Sequence, residues 1–507
     1  MRITTKTTPS EPNSLNLILL HPIATLILTG LWASLSPYPC IYASESTPKS
    51  VPNIVLILAD DLGYGDLACY GSGDLKTPNI DQLAREGLRL TSCYAAAANC
   101  SPARTGLMTG RTPTRVGVHN WIPMFSPVHV RREEITIATL LRNAGYDTAH
   151  FGKWHLNGDF NLPSQPQPPD HGFNYWFSTQ NNALPNHRNP NNFVRNGSPA
   201  GPLDGYSGPL VTDEAVRWLK DVRDKSKPFF MYVCYHEPHE PIASDKKYAD
   251  LYPSEDPSYS AHHGNITQMD GACGRLLRTL DELGVRENTF VMFTSDNGPA
   301  ITGIHPHGSP GPFREKKGHL YEGGIRVPGI VRWPGHVEQG QVSDEAISGV
   351  DLLPTLCELA DIQPPSDRAL DGTSFLPALR NETIRRRRPL YWHFVRASSA
   401  PKVAMRVDDW KVLAKFDAPP LKPSADIVAE EMHALKTAKL VGFELYNLKD
   451  DPAETKNLVD QEPQKLAQLV AQLREYYAEV QSESPVWPVW NWPRYESQRI
   501  EWPAYRK

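Results

Sequence analysis

Two polar pairs in this chain each follow an apolar run, and both have the donor types of a hard-cation site. Asp60-Asp61 follows Asn53-Ile54-Val55-Leu56-Ile57-Leu58-Ala59. Asp296-Asn297 follows Thr289-Phe290-Val291-Met292-Phe293-Thr294, and Gly298 then allows a sharp turn. Adjacent carboxylates repel unless a cation lies between them, so a divalent metal would explain the first pair. A strand-ending turn that caps a helix would also explain it. The recurrence at a second strand end favours the metal, because oxygen donors from two strand ends suit Ca²⁺ or Mg²⁺. No His/Cys group has zinc spacing. A third candidate is Cys100, in the string Cys100-Ser101-Pro102-Ala103-Arg104 that continues through Thr105-Gly106-Leu107-Met108 to Thr109-Gly110-Arg111. By residue type alone it is either a functional group or a plain buried or disulfide-bonded thiol.

The elements around these residues alternate. Asn53 to Ala59 is continuously apolar, the pattern of a strand buried on both faces. Thr77 to Gly87 has a Thr/Pro start, helical apolar spacing and a Gly stop; Ile137 to Ala144 is a second helix, closed by Gly145. Strands are expected at Asp147 to Phe151, Phe229 to Tyr235 and Thr289 to Thr294, with a helix from about Gly264 to Leu283 between the last two. This alternation implies a mainly parallel sheet covered by helices, whose ligands bind at the carboxyl ends of the strands. Composition shifts at Arg385-Arg386-Arg387-Arg388-Pro389. Short strands at 390–394 and 410–414 and a helix at 463–481 then form a smaller α+β region. The expected organisation is a signal peptide at 1–43, a main domain at 50–388, a C-terminal α+β subdomain at 389–484 and a tail at 485–507. The tail carries Trp487, Trp490, Trp492 and Trp502 among prolines and is expected to pack back over the main domain.

The Cys100 string followed by Thr109-Gly110-Arg111 resembles the signature of the type I sulfatases, in which the cysteine is converted after synthesis to formylglycine. The resemblance extends from Asn53 to the C-terminus and implies an alkaline-phosphatase-like α/β fold. It implies that Asp60, Asp61, Asp296 and Asn297, with the modified Cys100, hold one divalent metal, Ca²⁺ in most members and Mg²⁺ in some. Arg104 matches the arginine that holds the formylglycine. Gly152-Lys153-Trp154-His155 matches a segment whose lysine binds sulfate and whose histidine contacts the formylglycine hydrate. Pro238-His239-Glu240-Pro241 matches a histidine-bearing loop, and Lys317-Gly318 before Tyr321-Glu322-Gly323-Gly324 matches a second sulfate-binding lysine.

The residue types fit the chemistry of a sulfate monoester, which needs a nucleophile at sulfur, cations at its oxygens and an acid for the leaving oxygen. The hydrated aldehyde at position 100 offers two hydroxyls. On the resemblance, one of them, activated by the metal and Asp296, would attack sulfur. The metal, Lys153 and Lys317 neutralise oxygens, and His239 protonates the leaving group by family analogy. The second hydroxyl, deprotonated with help from His155, expels sulfate and regenerates the aldehyde. Pro312-Phe313, the stretch from Pro364 to Gly372 and Asn491-Trp492 are similar to the N-acetylgalactosamine-6-sulfatase and arylsulfatase A group, in which a C-terminal segment returns towards the active site. Arg314-Glu315-Lys316 departs from that group.

Composition sets the compartment and partners. The chain has 507 residues, with 52 Lys+Arg against 57 Asp+Glu, so no basic footprint points to nucleic acid. A 40% hydrophobic fraction with 21% charged residues excludes global disorder. Arg2 and Lys6, an apolar run from Leu15 to Leu35 and a small-residue exit at Tyr42-Ala43-Ser44 read as a secretory signal peptide, with a signal anchor as the alternative. The expected location is secreted or periplasmic, and lysosomal if the source is eukaryotic, with no stable membrane span. The expected partners are a sulfated carbohydrate, with N-acetylgalactosamine-6-sulfate or galactose-6-sulfate as the leading candidates, and a formylglycine-generating enzyme during maturation. The seven cysteines, an odd count, argue against a full disulfide framework. Two alternatives remain: a phosphonate or phosphate ester hydrolase of the same superfamily, and a non-catalytic sulfated-glycan-binding protein.

Overall fold

Strand Asn53–Ala59 is buried along its whole length. Its odd and even side chains enter two different cores: Ile54, Leu56 and Leu58 on one face, Val55, Ile57 and Ala59 on the other. That double burial is why the run is apolar without alternation. The computed structural model describes residues 51–505 except 420, 422 and 423, so the expected signal peptide and Cys40 lie outside the described residues.

The strand lies near the centre of a ten-stranded sheet. Five neighbours in the middle run parallel: Thr289–Ser295, Asn53–Ala59, Phe229–Cys234, Asp147–Lys153 and Tyr175–Thr179. Antiparallel pairs flank them at both sides, Gly329–Arg332 on Thr289–Ser295 and Val194–Arg195 on Tyr175–Thr179. One face is covered by helices that include Cys100–Thr109, Ile137–Asn143 and Leu352–Leu359, the other by Pro78–Arg85, Ser207–Arg217 and the long helix Pro257–Glu282. The architecture is therefore a mixed, centrally parallel α/β layer fold.

Two boundaries differ informatively from the sequence reading. The long helix begins at Pro257, well before Gly264, because the Asp256 side chain caps it at Ser258 N (2.8 Å) and proline occupies its first turn. The polar first turns, with buried His262 and His263, hide the apolar period. The strand from Asp147 also continues to Lys153, so Gly152 and Lys153 pair with Ser178 and Thr179 inside the sheet. Gly152 has φ +92°, and a Cβ there would lie 1.8 Å from the Cys234 carbonyl oxygen, so only glycine lets the strand end here.

A second, antiparallel sheet of Leu390–His393, Val403–Val407, Trp410–Phe416 and Leu440–Asn447 forms the smaller C-terminal layer. One face packs on helix Pro463–Glu483 through Leu469, Leu473 and Tyr476. The other meets Tyr94, Leu320 and Ile325 of the main layer, and Trp392 Nε1 donates to the Ala95 carbonyl at 2.8 Å. A buried ion triad crosses the same junction: Lys411 Nζ lies 2.9 Å from both Glu322 Oε1 and Glu454 Oε1, with all three side chains fully buried. The six described cysteines are free thiols. Asn265 is buried inside the long helix, where its side-chain amide donates to the Ala243 carbonyl at 2.9 Å. No helix among the described residues is long and apolar enough to cross a membrane.

Removing the cation of the buried triad leaves Glu322 Oε1 and Glu454 Oε1 without their shared lysine, while Tyr94, Arg326 and the Glu322 amide hold only the other oxygens. Lys411→Met should therefore destabilise the fold by about 3–5 kcal/mol, read as a lower midpoint in urea unfolding. An unchanged midpoint would show that the junction does not depend on the triad.

Candidate active site

The carboxyl ends of the central parallel strands converge. Asn53–Ala59 delivers Asp60 and Asp61, Thr289–Ser295 delivers Asp296 and Asn297, and Asp147–Lys153 delivers Lys153, with His155 two residues on. Asp60 N donates to Glu237 O (3.0 Å), and Asp296 N to Ala59 O (3.2 Å), so the strand ends are tied to one another. Asp61 and His155 both adopt left-handed backbone (φ 64° and 57°), a conformation that turns their side chains away from the strand path.

Helix Cys100–Thr109 brings its first residue to the same place. Its ten residues are all buried, and Asn99 caps it: Asn99 Oδ1 accepts from Cys100 N at 2.9 Å. Lys317 arrives on a loop held by Lys317 N to Pro299 O (3.1 Å) and Gly318 N to Ala98 O (2.8 Å).

The charges interlock. Lys153 Nζ contacts Asp60 Oδ2 at 2.7 Å, both side chains fully buried. Arg104 donates through Nε to Asp296 Oδ2 (2.9 Å) and through one terminal nitrogen to the Lys153 carbonyl (3.0 Å), while its other lies 3.7 Å from Asp60 Oδ1. Lys317 Nζ sits 2.7 Å from Asp61 Oδ1 and 3.3 Å from Cys100 Sγ. Asn297 Nδ2 donates to Asp61 Oδ1 at 2.7 Å, and His239 Nε2 lies 3.6 Å from Asp61 Oδ2. Burial works against ionised Asp60, yet Lys153, His239, Arg104 and Lys317 together hold its carboxyl well below the usual range. For Asp296, burial and the neighbouring Asp60 win over Arg104, and its carboxyl rises to about 7. Burial likewise pushes the Cys100 thiol up to about 12. A thiol in that state is a poor nucleophile at neutral pH.

All ten residues picked out by the sequence lie in this region. Ligand atoms of Asp60, Asp61, Cys100 and His239 fall within 4.8 Å of one another. Asp60 Oδ1 and Asn297 Oδ1 are buried with no hydrogen-bond partner in the protein. Oxygen acceptors left bare beside carboxylates are the donor set of a hard divalent cation, so these residues fit one. Asp296 is less free, since Oδ2 takes Arg104 and Oδ1 takes Asp61 N at 3.1 Å.

Above the cluster opens a cavity of about 520 Å³. Cys100, His155, His239 and Lys317 line it, whereas the metal-type oxygens, Lys153 and Arg104 do not. Sequence reasoning missed several of its wall residues: Asn99, Asn120, Trp121, Asn181 and Glu496. Of these only Asn99 carries a local signal, as a helix cap directly before Cys100. The residues at 314–316 do not line the cavity; Arg314 stacks on the Tyr321 ring (3.8 Å) and donates to Glu454 O at 3.1 Å.

Residues 52–362 match the family model described as Sulfatase, and residues 312–420 match that described as N-sulphoglucosamine sulphohydrolase, C-terminal. N-acetylgalactosamine-6-sulfatase of Rattus norvegicus is 35% identical over 388 residues, 71% of this chain and 69% of the relative. Arylsulfatase A of Homo sapiens is 34% identical over 442 residues, 80% of this chain and 83% of the relative. The crystal structure of Ps i-CgsB in complex with k-i-k-neocarrahexaose is similar with a TM-score of 0.74 and 28% identity, covering 86% of this chain and 95% of that one.

If the acidic cluster holds a cation, protein stripped by a chelator should melt at higher temperature when Ca²⁺ is restored, since a ligand at 100 times its Kd adds about 2.7 kcal/mol. In Asn297→Ala the Ca²⁺-induced rise should shrink. An equal rise in both proteins would contradict the assignment.

Proposed function

This chain belongs to the sulfatase family and is a sulfuric ester hydrolase, and from that premise we propose that it works through a formylglycine made from Cys100, with one divalent cation, on a sulfated carbohydrate. The observation that carries the reading is Cys100 at the cavity floor, 3.3 Å from Lys317 Nζ and above the Asp60–Asp61 cluster. An unmodified thiol with its proton held to about 12 does not suit that position, which favours conversion of the residue.

Asp60, Asp61 and Asn297, with Asp296 behind them, would hold the cation, which when bound supplies positive charge to a sulfate oxygen and to the nucleophile. The hydrate of the aldehyde would supply the attacking oxygen and a second hydroxyl for turnover. The remaining work falls to the chain's own side chains. Lys317 Nζ, already 3.3 Å from Cys100 Sγ and lining the cavity, would bind a sulfate oxygen. Lys153 sits behind Asp60 and keeps it ionised; it reaches sulfate only if that pair opens. Arg104 orients Asp296 and the end of the Lys153 strand rather than residue 100 itself.

The two histidines have defined free nitrogens. His155 Nε2 donates to the Ile122 carbonyl at 3.1 Å, so Nδ1 is the bare acceptor, buried and without a protein partner. It is suited to take a proton from a hydroxyl at residue 100. His239 Nδ1 donates to the Glu240 carbonyl at 2.5 Å, leaving Nε2 as the atom that can exchange a proton with a leaving oxygen. Trp121, Trp492 and Trp502 on the cavity wall offer apolar faces for a sugar ring. The similarity to an N-acetylgalactosamine-6-sulfatase and to a structure holding a neocarrahexaose supports a carbohydrate, and a 6-sulfated galactose-type sugar is the leading candidate.

Aryl sulfate and aryl phosphate kinetics test this against the phosphonate or phosphate ester alternative. The sulfate should be the better substrate in kcat/KM, and Cys100→Ala should abolish its turnover while leaving the melting temperature near that of the unaltered protein. Preference for the phosphate, or turnover that survives in Cys100→Ala, would refute the reading.

A further inference from the structure

One wall of the cavity above Cys100 is built by the C-terminal tail, and it carries a carboxylate that takes no part in the chemistry at residue 100. Glu496 lies in the short helix Tyr495–Arg499 and is only 4% exposed. Its Oε1 accepts from Asn181 Nδ2 at 2.8 Å and from Asn182 N at 3.3 Å. Its Oε2 is buried with no partner in the protein. Asn181 Oδ1 is in the same condition, and its orientation is set, because the amide nitrogen is committed to Glu496. Both residues line the cavity together with Cys100, His155 and Lys317.

A buried acceptor without a donor costs about 1–3 kcal/mol, and two of them on hydrogen-bonded residues that both line the cavity call for donors from the ligand. Sulfate cannot supply them, since its oxygens only accept. A carboxylate also repels the sulfate, so it has no place in binding the ester group itself. Ring hydroxyls and an amide N–H are donors of the right kind. Burial raises the Glu496 carboxyl above its ordinary value, while Asn181, Asn182 and Lys153 pull it down; a ring donor at Oε2 would complete the shell that holds the charge.

We propose that Glu496 is a specificity-determining residue: its Oε2, with Asn181 Oδ1, accepts hydrogen bonds from hydroxyl or amide groups of the sugar bearing the scissile sulfate, selecting rings that are neutral there over rings with a second sulfate or a carboxylate. This rests on the carbohydrate reading above. Tail and main layer then act together, because the tail positions Glu496 through Asn181 and Asn182 while the main layer positions residue 100.

The test compares Glu496→Gln and Glu496→Ala with the unaltered protein on a 6-sulfated galactose or N-acetylgalactosamine, on a ring with a second sulfate, and on an aryl sulfate without ring hydroxyls. Gln keeps an oxygen for Asn181 and Asn182, so the tail can stay docked; melting temperatures check this. The expected result is a loss of about 10- to 100-fold in kcat/KM on the monosulfated sugar. That loss should exceed the loss on aryl sulfate by at least tenfold, and Glu496→Gln should narrow the discrimination against the second sulfate. Equal losses on sugar and aryl sulfate, or no loss on the sugar, would overturn the proposal. So would an unaltered protein that cleaves the aryl sulfate but no sugar. If it cleaved neither substrate, the carbohydrate sulfatase reading itself would fall, and the proposal with it.

Discussion

Asp60 and Asp61 stand side by side at the end of the central strand, both out of water, and the rest of the site exists to make that tolerable. Two buried carboxylates in adjacent positions repel, and a third, Asp296, lies within reach. Lys153 answers Asp60, Lys317 answers Asp61 and Arg104 answers Asp296, each at hydrogen-bond distance. The three cations come from three different segments: a parallel strand, a loop after the second strand end and the first turns of a buried helix. Their convergence requires the parallel core, because only there do several strand ends open into one crevice. The same helix that supplies Arg104 supplies Cys100, so the charge lattice and residue 100 share one element.

Above this lattice the cavity changes character. The floor is ionic, while the walls mix asparagine, tryptophan and one carboxylate from parts of the chain that meet only in three dimensions. Trp492 packs edge-on against Trp121 with ring centres 5.1 Å apart, and Trp487 Nε1 donates to the Gly117 carbonyl at 2.6 Å. The tail thus contributes side chains to the cavity wall and touches the main layer through Trp487 and Trp492. A division of labour follows: a floor suited to an ester common to many substrates, and walls suited to recognising what carries it.

The sequence made the floor readable because its residues lie in short contiguous signals. A largely apolar strand followed by Asp60-Asp61, with a second polar pair, Asp296-Asn297, after another such strand, is visible without coordinates, and so is the Cys100 string with its arginine one helical turn on. The central strands were readable for the same reason, since burial on both faces leaves an unbroken apolar run. What stayed hidden depends on contacts across the chain. Glu496 and Asn181 are 315 residues apart, and nothing near either one marks it as part of a cavity. The start of the long helix at Pro257 was masked by polar residues that are buried for tertiary reasons. The triad of Lys411, Glu322 and Glu454 had no signal at all, because three charged residues in separate segments look like ordinary surface until packing places them inside.

The central claim is that residue 100 works as an aldehyde and not as a thiol. Mass spectrometry of the tryptic peptide containing residue 100, taken from active protein made in its native host, tests this most directly. The peptide should carry an aldehyde in place of the cysteine thiol. An unmodified cysteine in protein that hydrolyses sulfate esters would contradict it.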